Sequence, residues 1–158
     1  MNKKSLGIVV VILLLVVVIG GCGLFFGIKA INNRPFRLEE KYYDNMSIID
    51  IDHNRYEELV DKKESFILYL TLDGCTTCTI FAHKATDFIV KNKLTVYRIE
   101  YKEFSQTDLK GEVEYAPSML IFKKGKLKAF LDAQSDEDLQ YYKDSDSLKT
   151  WFEKYIEL

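Results

Sequence analysis

Two cysteines three positions apart, Cys75-Thr76-Thr77-Cys78, constrain this chain more than any other feature. They follow a largely apolar run of strand length, Phe66 to Leu72, and the turn pair Asp73-Gly74. They open a segment, Thr79 to Val90, that is patterned as a helix. A pair of thiols at a strand-to-helix junction suits dithiol–disulfide chemistry. The first sulfur sits where unpaired backbone N–H groups and the helix dipole favour a thiolate. The second lies one turn on, close enough to close a disulfide. The chain holds one further cysteine, Cys22, and it lies in an apolar stretch. Three cysteines are too few for a disulfide-framed secreted scaffold, so the pair reads as redox-active rather than structural.

That apolar stretch, Leu6 to Ile28, carries no charged residue and follows Lys3 and Lys4. At about 1.5 Å per residue its length covers a hydrocarbon core of roughly 30 Å. Two readings compete. One is an uncleaved single-span anchor over residues 1–28. The other is a lipoprotein signal, in which Ile19-Gly20-Gly21-Cys22 resembles a lipobox and Cys22 is the lipidation site. The apolar run continues past Cys22 through Leu24 to Ile28, which favours the span, because signal cores end at the cleavage site. Lys29, Arg34, Arg37 and Lys41 on the far flank argue for a globular part retained inside. The short basic N-terminus has the form of a signal-anchor, and an extracytoplasmic domain is expected.

All acidic residues follow Ile28, so the remainder is mildly acidic. It shows no basic stripe, which removes nucleic acid as a partner class. Residues 29–45 are polar and irregular and read as a juxtamembrane tether, packed at its Tyr42-Tyr43 end. From Met46 to Leu158 the elements alternate. Strands are expected over Ser47–Ile51, Ser65–Leu72 and Leu94–Ile99, and a hairpin over Ser118–Phe122 and Leu127–Leu131. Helices are expected over His53–Lys63 with Asp52 as its cap, Cys75–Lys91 with Ile80, Phe81, Phe88 and Ile89 as apolar contributors, Phe104–Gly111 and Ser147–Ile156. The acidic stretch Asp132–Asp146, with Tyr141-Tyr142, reads as a solvated loop or short helical excursion and not as a binding site. The order β-α-β-α-β-α-β-β-α is that of an α/β domain with a central mixed sheet flanked by helices.

With Cys-x-x-Cys opening the second helix, this order resembles the thioredoxin fold over residues 46–158. Three segments carry the resemblance: Cys75-Thr-Thr-Cys78 after a buried strand; Leu94-Thr-Val-Tyr-Arg-Ile99, similar to the family's central strand; and Ala116-Pro117-Ser-Met-Leu-Ile-Phe-Lys-Lys-Gly125, similar to its cis-proline strand and hairpin. The chain also resembles the thioredoxin-like accessory proteins associated with bacteriocin export in Gram-positive bacteria. The resemblance implies a thiol–disulfide oxidoreductase working through Cys75 and Cys78. Pro117 would follow a cis bond, and the Ala116 backbone would pair with an extended substrate. It implies cysteine-containing protein or peptide substrates, a redox partner, and no organic cofactor.

The departures are informative. Gly-Cys-Thr-Thr-Cys replaces the usual Trp-Cys-Gly-Pro-Cys, so the shielding tryptophan is absent. The family's buried acid corresponds to Tyr69 and its basic partner to Arg98, which stays charged and shuttles no proton. These losses also fit a non-catalytic scaffold of a secretion system. Cys75 is the expected nucleophile, with Thr76 and Thr77 as hydrogen-bonding neighbours and Asp73 opposing the thiolate. Cys78 is the resolving thiol. His83 follows Cys78 by five positions, but zinc wants four ligands and the chain offers no second cysteine pair, so no metal is expected. His83 reads as a partly exposed helix residue, and His53, near a helix start, as solvated.

Overall fold

The computed structural model describes residues 34–158. The Leu6–Ile28 stretch and Cys22 lie outside the described residues. Among those described, no helix is long and apolar enough to cross a membrane.

Five strands form one mixed sheet in the order β1-β3-β2-β4-β5. They are β1 (Ser47–Ile51), β2 (Ile67–Thr71), β3 (Thr95–Glu100), β4 (Ser118–Lys123) and β5 (Lys126–Phe130). β1 and β2 each run parallel to β3; β4 is antiparallel to β2 and to β5. The central strand β2 is buried on both faces, as a strand flanked by helices must be. Its side chains alternate. Phe66, just before it, stacks on Phe122 at 4.3 Å, and Phe122 meets Tyr56 of helix α1 (His53–Asp61) edge-on at 5.7 Å. Tyr69 points the other way and meets Phe81 of helix α2 (Thr76–Lys91) at 5.9 Å. On that same face Phe88 stacks on Phe152 of helix α4 (Ser145–Phe152) at 4.5 Å.

Capping sets the helix starts. Asp52 accepts from Arg55 N at 2.9 Å and Asp144 accepts from Ser147 N at 2.8 Å, each satisfying an otherwise orphan donor. The short helix α3 occupies Tyr101–Phe104, earlier than the expected Phe104–Gly111. The Glu100 carboxylate caps Lys102 N at 2.6 Å, so the helix begins as soon as β3 ends. The Thr107 hydroxyl then donates to the Phe104 carbonyl at 2.8 Å, and turns follow. At the β4–β5 turn, Gly125 has φ +73° and a Cβ there would come within 2.4 Å of the Val60 carbonyl oxygen, so only glycine fits.

The stretch 29–45 is packed at its Tyr42-Tyr43 end, as expected, and the packing extends back to Phe36. Phe36 bridges to Ile156, and Leu38, Tyr42 and Tyr43 are buried. Residues 35–158 form one compact unit. The Tyr42 hydroxyl donates to Glu64 at 2.6 Å, and the Tyr43 hydroxyl donates to the Glu157 carbonyl at 2.7 Å. Burial counters the ionisation of Glu64, but the hydrogen bonds from Lys41 and Tyr42 hold its carboxyl below the ordinary value.

Candidate active site

The chain leaves β2 through Leu72–Gly74, where Gly74 takes φ +72°. Cys75 then stands as the N-cap of α2 in an extended conformation. Its sulfur does what a capping oxygen does elsewhere: it accepts from Cys78 N at 3.1 Å. Thr77 Oγ1 lies 3.1 Å from the same sulfur. The partners of the sulfur are thus Thr77 and Cys78; Thr76, expected to share this role, is exposed and does not line the groove described below. Cys75 is half-buried and Cys78 is buried. Their Cα atoms are 5.2 Å apart and the sulfurs are at disulfide distance. An accessible first sulfur with a second behind it is the arrangement that disulfide exchange requires.

Beneath Cys78 lies Tyr69, 1% exposed, its hydroxyl donating to the Cys78 carbonyl at 3.4 Å. Burial pushes this phenol above its ordinary value, so it stays protonated at neutral pH. Arg98 is held by Asp50, its register partner on β1, with contacts of 2.5 and 2.8 Å. Neither residue supplies a base to the resolving thiol.

The Ala116–Pro117 bond is cis. Among the described residues no backbone–backbone hydrogen bond involves Ala116. Ala116, Pro117 and Thr77 line one open groove of 280 Å³, together with Ile80 and Phe81 of α2. Cys75, Cys78, Thr77, Ala116 and Pro117 therefore gather at one end of the sheet.

Three features differ from the sequence reading. Ile80, expected in the helix core, is 53% exposed and lies on the groove instead. The buried stripe of α2 is Phe81, Ala85, Phe88 and Ile89, and Ile80 falls one residue off it. The acidic stretch 132–146, expected as a solvated loop or short helical excursion and not as a binding site, does hold a short helical turn at Leu139–Tyr142, but it also supplies the far wall of the groove through Ala133, Gln134, Leu139 and Tyr142. Its signal in the sequence is a tyrosine pair and a leucine among acids, large apolar bodies in a segment with no helical or strand period. His53 is partly exposed but not free: its Nδ1 lies 2.8 Å from Glu103 Oε2, and that hydrogen bond raises the imidazole above its ordinary value. His83 is exposed. Among the described residues no cluster of three His, Cys, Asp or Glu could hold a metal ion.

The comparisons agree with the geometry. The structure is similar to a single-substitution mutant of thioredoxin from Halobacterium salinarum NRC-1, with TM-score 0.54, 16% identity, and coverage of 73% of this chain and 96% of that one. It is similar to oxidised thioredoxin O1 of Arabidopsis thaliana, with TM-score 0.51, 17% identity, and coverage of 70% and 98%. Against the J-Trx1 fragment of ERdj5 the TM-score is 0.50 and the identity 19%; the match covers 68% of this chain and about half, 51%, of that longer one. These likenesses speak to the fold. No curated protein matches the chain. The family model for thioredoxin matches residues 38–145, which span the sheet, the cysteine pair and the cis-proline loop, and the chain belongs to the thioredoxin family.

Proposed function

We propose that this protein is a membrane-tethered thiol–disulfide oxidoreductase that exchanges disulfides with exported or envelope proteins. The observation that carries the proposal is the half-buried Cys75 sulfur at the start of α2, in front of Cys78 and in contact with Thr77, which lines an open groove. In the reducing direction the Cys75 thiolate attacks a substrate disulfide. A mixed disulfide forms and one substrate thiolate leaves. The Cys78 thiolate then attacks Cys75 Sγ, the intramolecular disulfide forms, and the second substrate sulfur leaves as thiolate. Two electrons pass to the substrate, and a dithiol partner protein restores the pair. The same steps in reverse oxidise a substrate dithiol. Ala116, with its backbone unpaired, would align an extended substrate segment, as edge pairing does elsewhere.

The tether is the apolar stretch Leu6–Ile28 as a single span with the domain outside, or a lipid on Cys22. Its support is the sequence pattern. Protease accessibility on intact cells tests the orientation, and loss of membrane retention in Cys22→Ala would select the lipid.

Cys75→Ser should abolish exchange while the fold persists. Cys78→Ala should accumulate mixed disulfides through Cys75, and an empty trap in active cells would count heavily against the proposal. A second reading is a non-catalytic accessory of a secretion system such as bacteriocin export. The buried Tyr69 and the committed Arg98 favour it, since they leave Cys78 without a titrating neighbour. It requires that the Cys75→Ser/Cys78→Ser protein keep its biological effect.

A further inference from the structure

The segment between β5 and α4, residues 131–144, contributes no reacting atom, yet it builds one side of the groove. One residue pins it. The Tyr142 hydroxyl hydrogen is shared between the Pro117 carbonyl at 2.9 Å and the Leu131 carbonyl at 2.8 Å. The Tyr142 ring packs on Phe81 at 4.9 Å, and its own carbonyl accepts from Lys84 Nζ at 2.8 Å. The segment is thereby fixed at once to the cis-proline loop, to the end of β5 and to the active-site helix.

The fixed wall is apolar where it meets the groove. Leu139 is 48% exposed and Ile80, on the helix side, is 53% exposed. Single exposed aliphatic residues are common, but here two line one cavity floored by Phe81 and Pro117. Its 280 Å³ falls just under the roughly 300–1,000 Å³ of sites for small organic ligands. It suits one bulky side chain of a segment whose backbone runs past Ala116. The charge around it is mainly negative, although Lys84 lines the groove and Lys143 lies in the wall segment. Asp136 and Glu137 are exposed on the wall, and Asp132 lines a neighbouring cavity with Glu112 and Glu114. The amine within the groove, that of Lys84, is already donated to Tyr142.

We propose that residues 131–144 are a specificity wall, positioned by the Tyr142 hydroxyl, that selects an extended cysteine-bearing polypeptide with a bulky aliphatic side chain beside the cysteine and a basic residue beyond it. This rests on the exchange reading above and names the substrate class of that site.

The test uses the full chain and synthetic disulfide peptides that differ by Leu→Ser beside the cysteine, or by Lys→Glu two positions further on. Wild type should favour the leucine peptide by about tenfold in kcat/KM, expressed in KM, a modest part of what burying a leucine side chain confers. It should favour lysine over glutamate by about threefold, a ratio that shrinks with salt. Leu139→Asp and Tyr142→Phe should each collapse the leucine preference while the midpoint potential of the Cys75/Cys78 couple holds. Val90→Asp, an equally exposed apolar position on the same helix as Ile80, should keep the preference. Equal rates on the leucine and serine peptides in wild type, or a preference that survives either groove substitution, overturns the wall. Failure of the exchange reading shows differently, as inertness toward every peptide. In that case calorimetry of the Cys75→Ser/Cys78→Ser protein with the reduced peptides decides: selective binding of the leucine peptide upholds the wall without redox chemistry, and equal or absent binding overturns it.

Discussion

On the helix side of the groove, the Cys75 turn is fixed by bonds that span two to four residues: Thr77 Oγ1 and Cys78 N to the sulfur, Thr79 N to the Cys75 carbonyl. On the opposite side local turns shape the segment, with Asp138 N and Leu139 N both donating to the Ser135 carbonyl, but the ties that fix it to the rest of the domain are long-range. Tyr142 reaches back 25 residues to Pro117 and 11 to Leu131, and its ring rests on a helix far earlier in sequence. The reactive wall is therefore set by the helix it begins and stands whenever that helix forms. The recognition wall exists only once the sheet and α2 are assembled. Chemistry and selectivity are thus held by separable sets of bonds, and substitutions can act on one without the other.

The largest effect should come from the residue that serves both walls. Phe81 is buried between Tyr69 and Tyr142, and Phe81→Ala should cost about 3–5 kcal/mol in urea denaturation. A cost below about 1 kcal/mol would mean the two walls do not share a core there. Next come the bonds converging on the Leu131 carbonyl, which accepts from Ser118 Oγ at 2.6 Å as well as from Tyr142. Tyr142→Phe and Ser118→Ala should each cost about 1 kcal/mol, and a double-mutant cycle should show coupling of at least about 0.5 kcal/mol. Additive losses would show that the wall is not held through that carbonyl. Thr77→Val tests the local side. It should leave stability unchanged and slow exchange about two- to threefold at fixed pH, by removing one hydrogen bond to the sulfur.

The smallest effect is a pH dependence, from another long-range tie, His53 to Glu103. The hydrogen bond raises the imidazole above 6.5, so its contribution is complete below that value and fades as pH climbs through the raised folded value. The same bond, with that from the His53 backbone, lowers the Glu103 carboxyl from 4.5, so the acid's contribution is complete above 4.5 and is lost as pH falls through the lowered folded value. A melting-temperature profile should therefore show a shallow decline on the alkaline side that Glu103→Gln flattens. An unchanged slope in that variant would remove His53 from the account.

The same division governs what can be read from sequence. The cysteine pair at the start of α2, the Asp52 cap, the succession of strands along the chain and most of the α2 stripe are local or periodic, and residue patterns expose them directly, Ile80 excepted. The tyrosine pair marks the packed end of the 29–45 stretch, but its partners Glu64 and Glu157 lie far along the chain, and no local pattern shows that Phe36 and Leu38 join it. The role of Tyr142 depends on two carbonyls contributed by other elements, and acids around it masked a ring packed against α2. α3 moved because a strand-end glutamate caps its own successor, a choice that propensity over Phe104–Gly111 does not reveal.

The clasp between residues 36–43 and the final turn of the domain has a consequence for wear. Phe36 N donates to Tyr155 O and Glu157 N donates to Phe36 O, both at 2.9 Å, while the Tyr43 hydroxyl closes on Glu157. Chain ends ordinarily fray independently and give proteases their first purchase. Here each segment is the other's lock: peeling either one breaks the same few bonds, so proteolytic nicking near residue 36 and near residue 156 should proceed with a single shared opening rate.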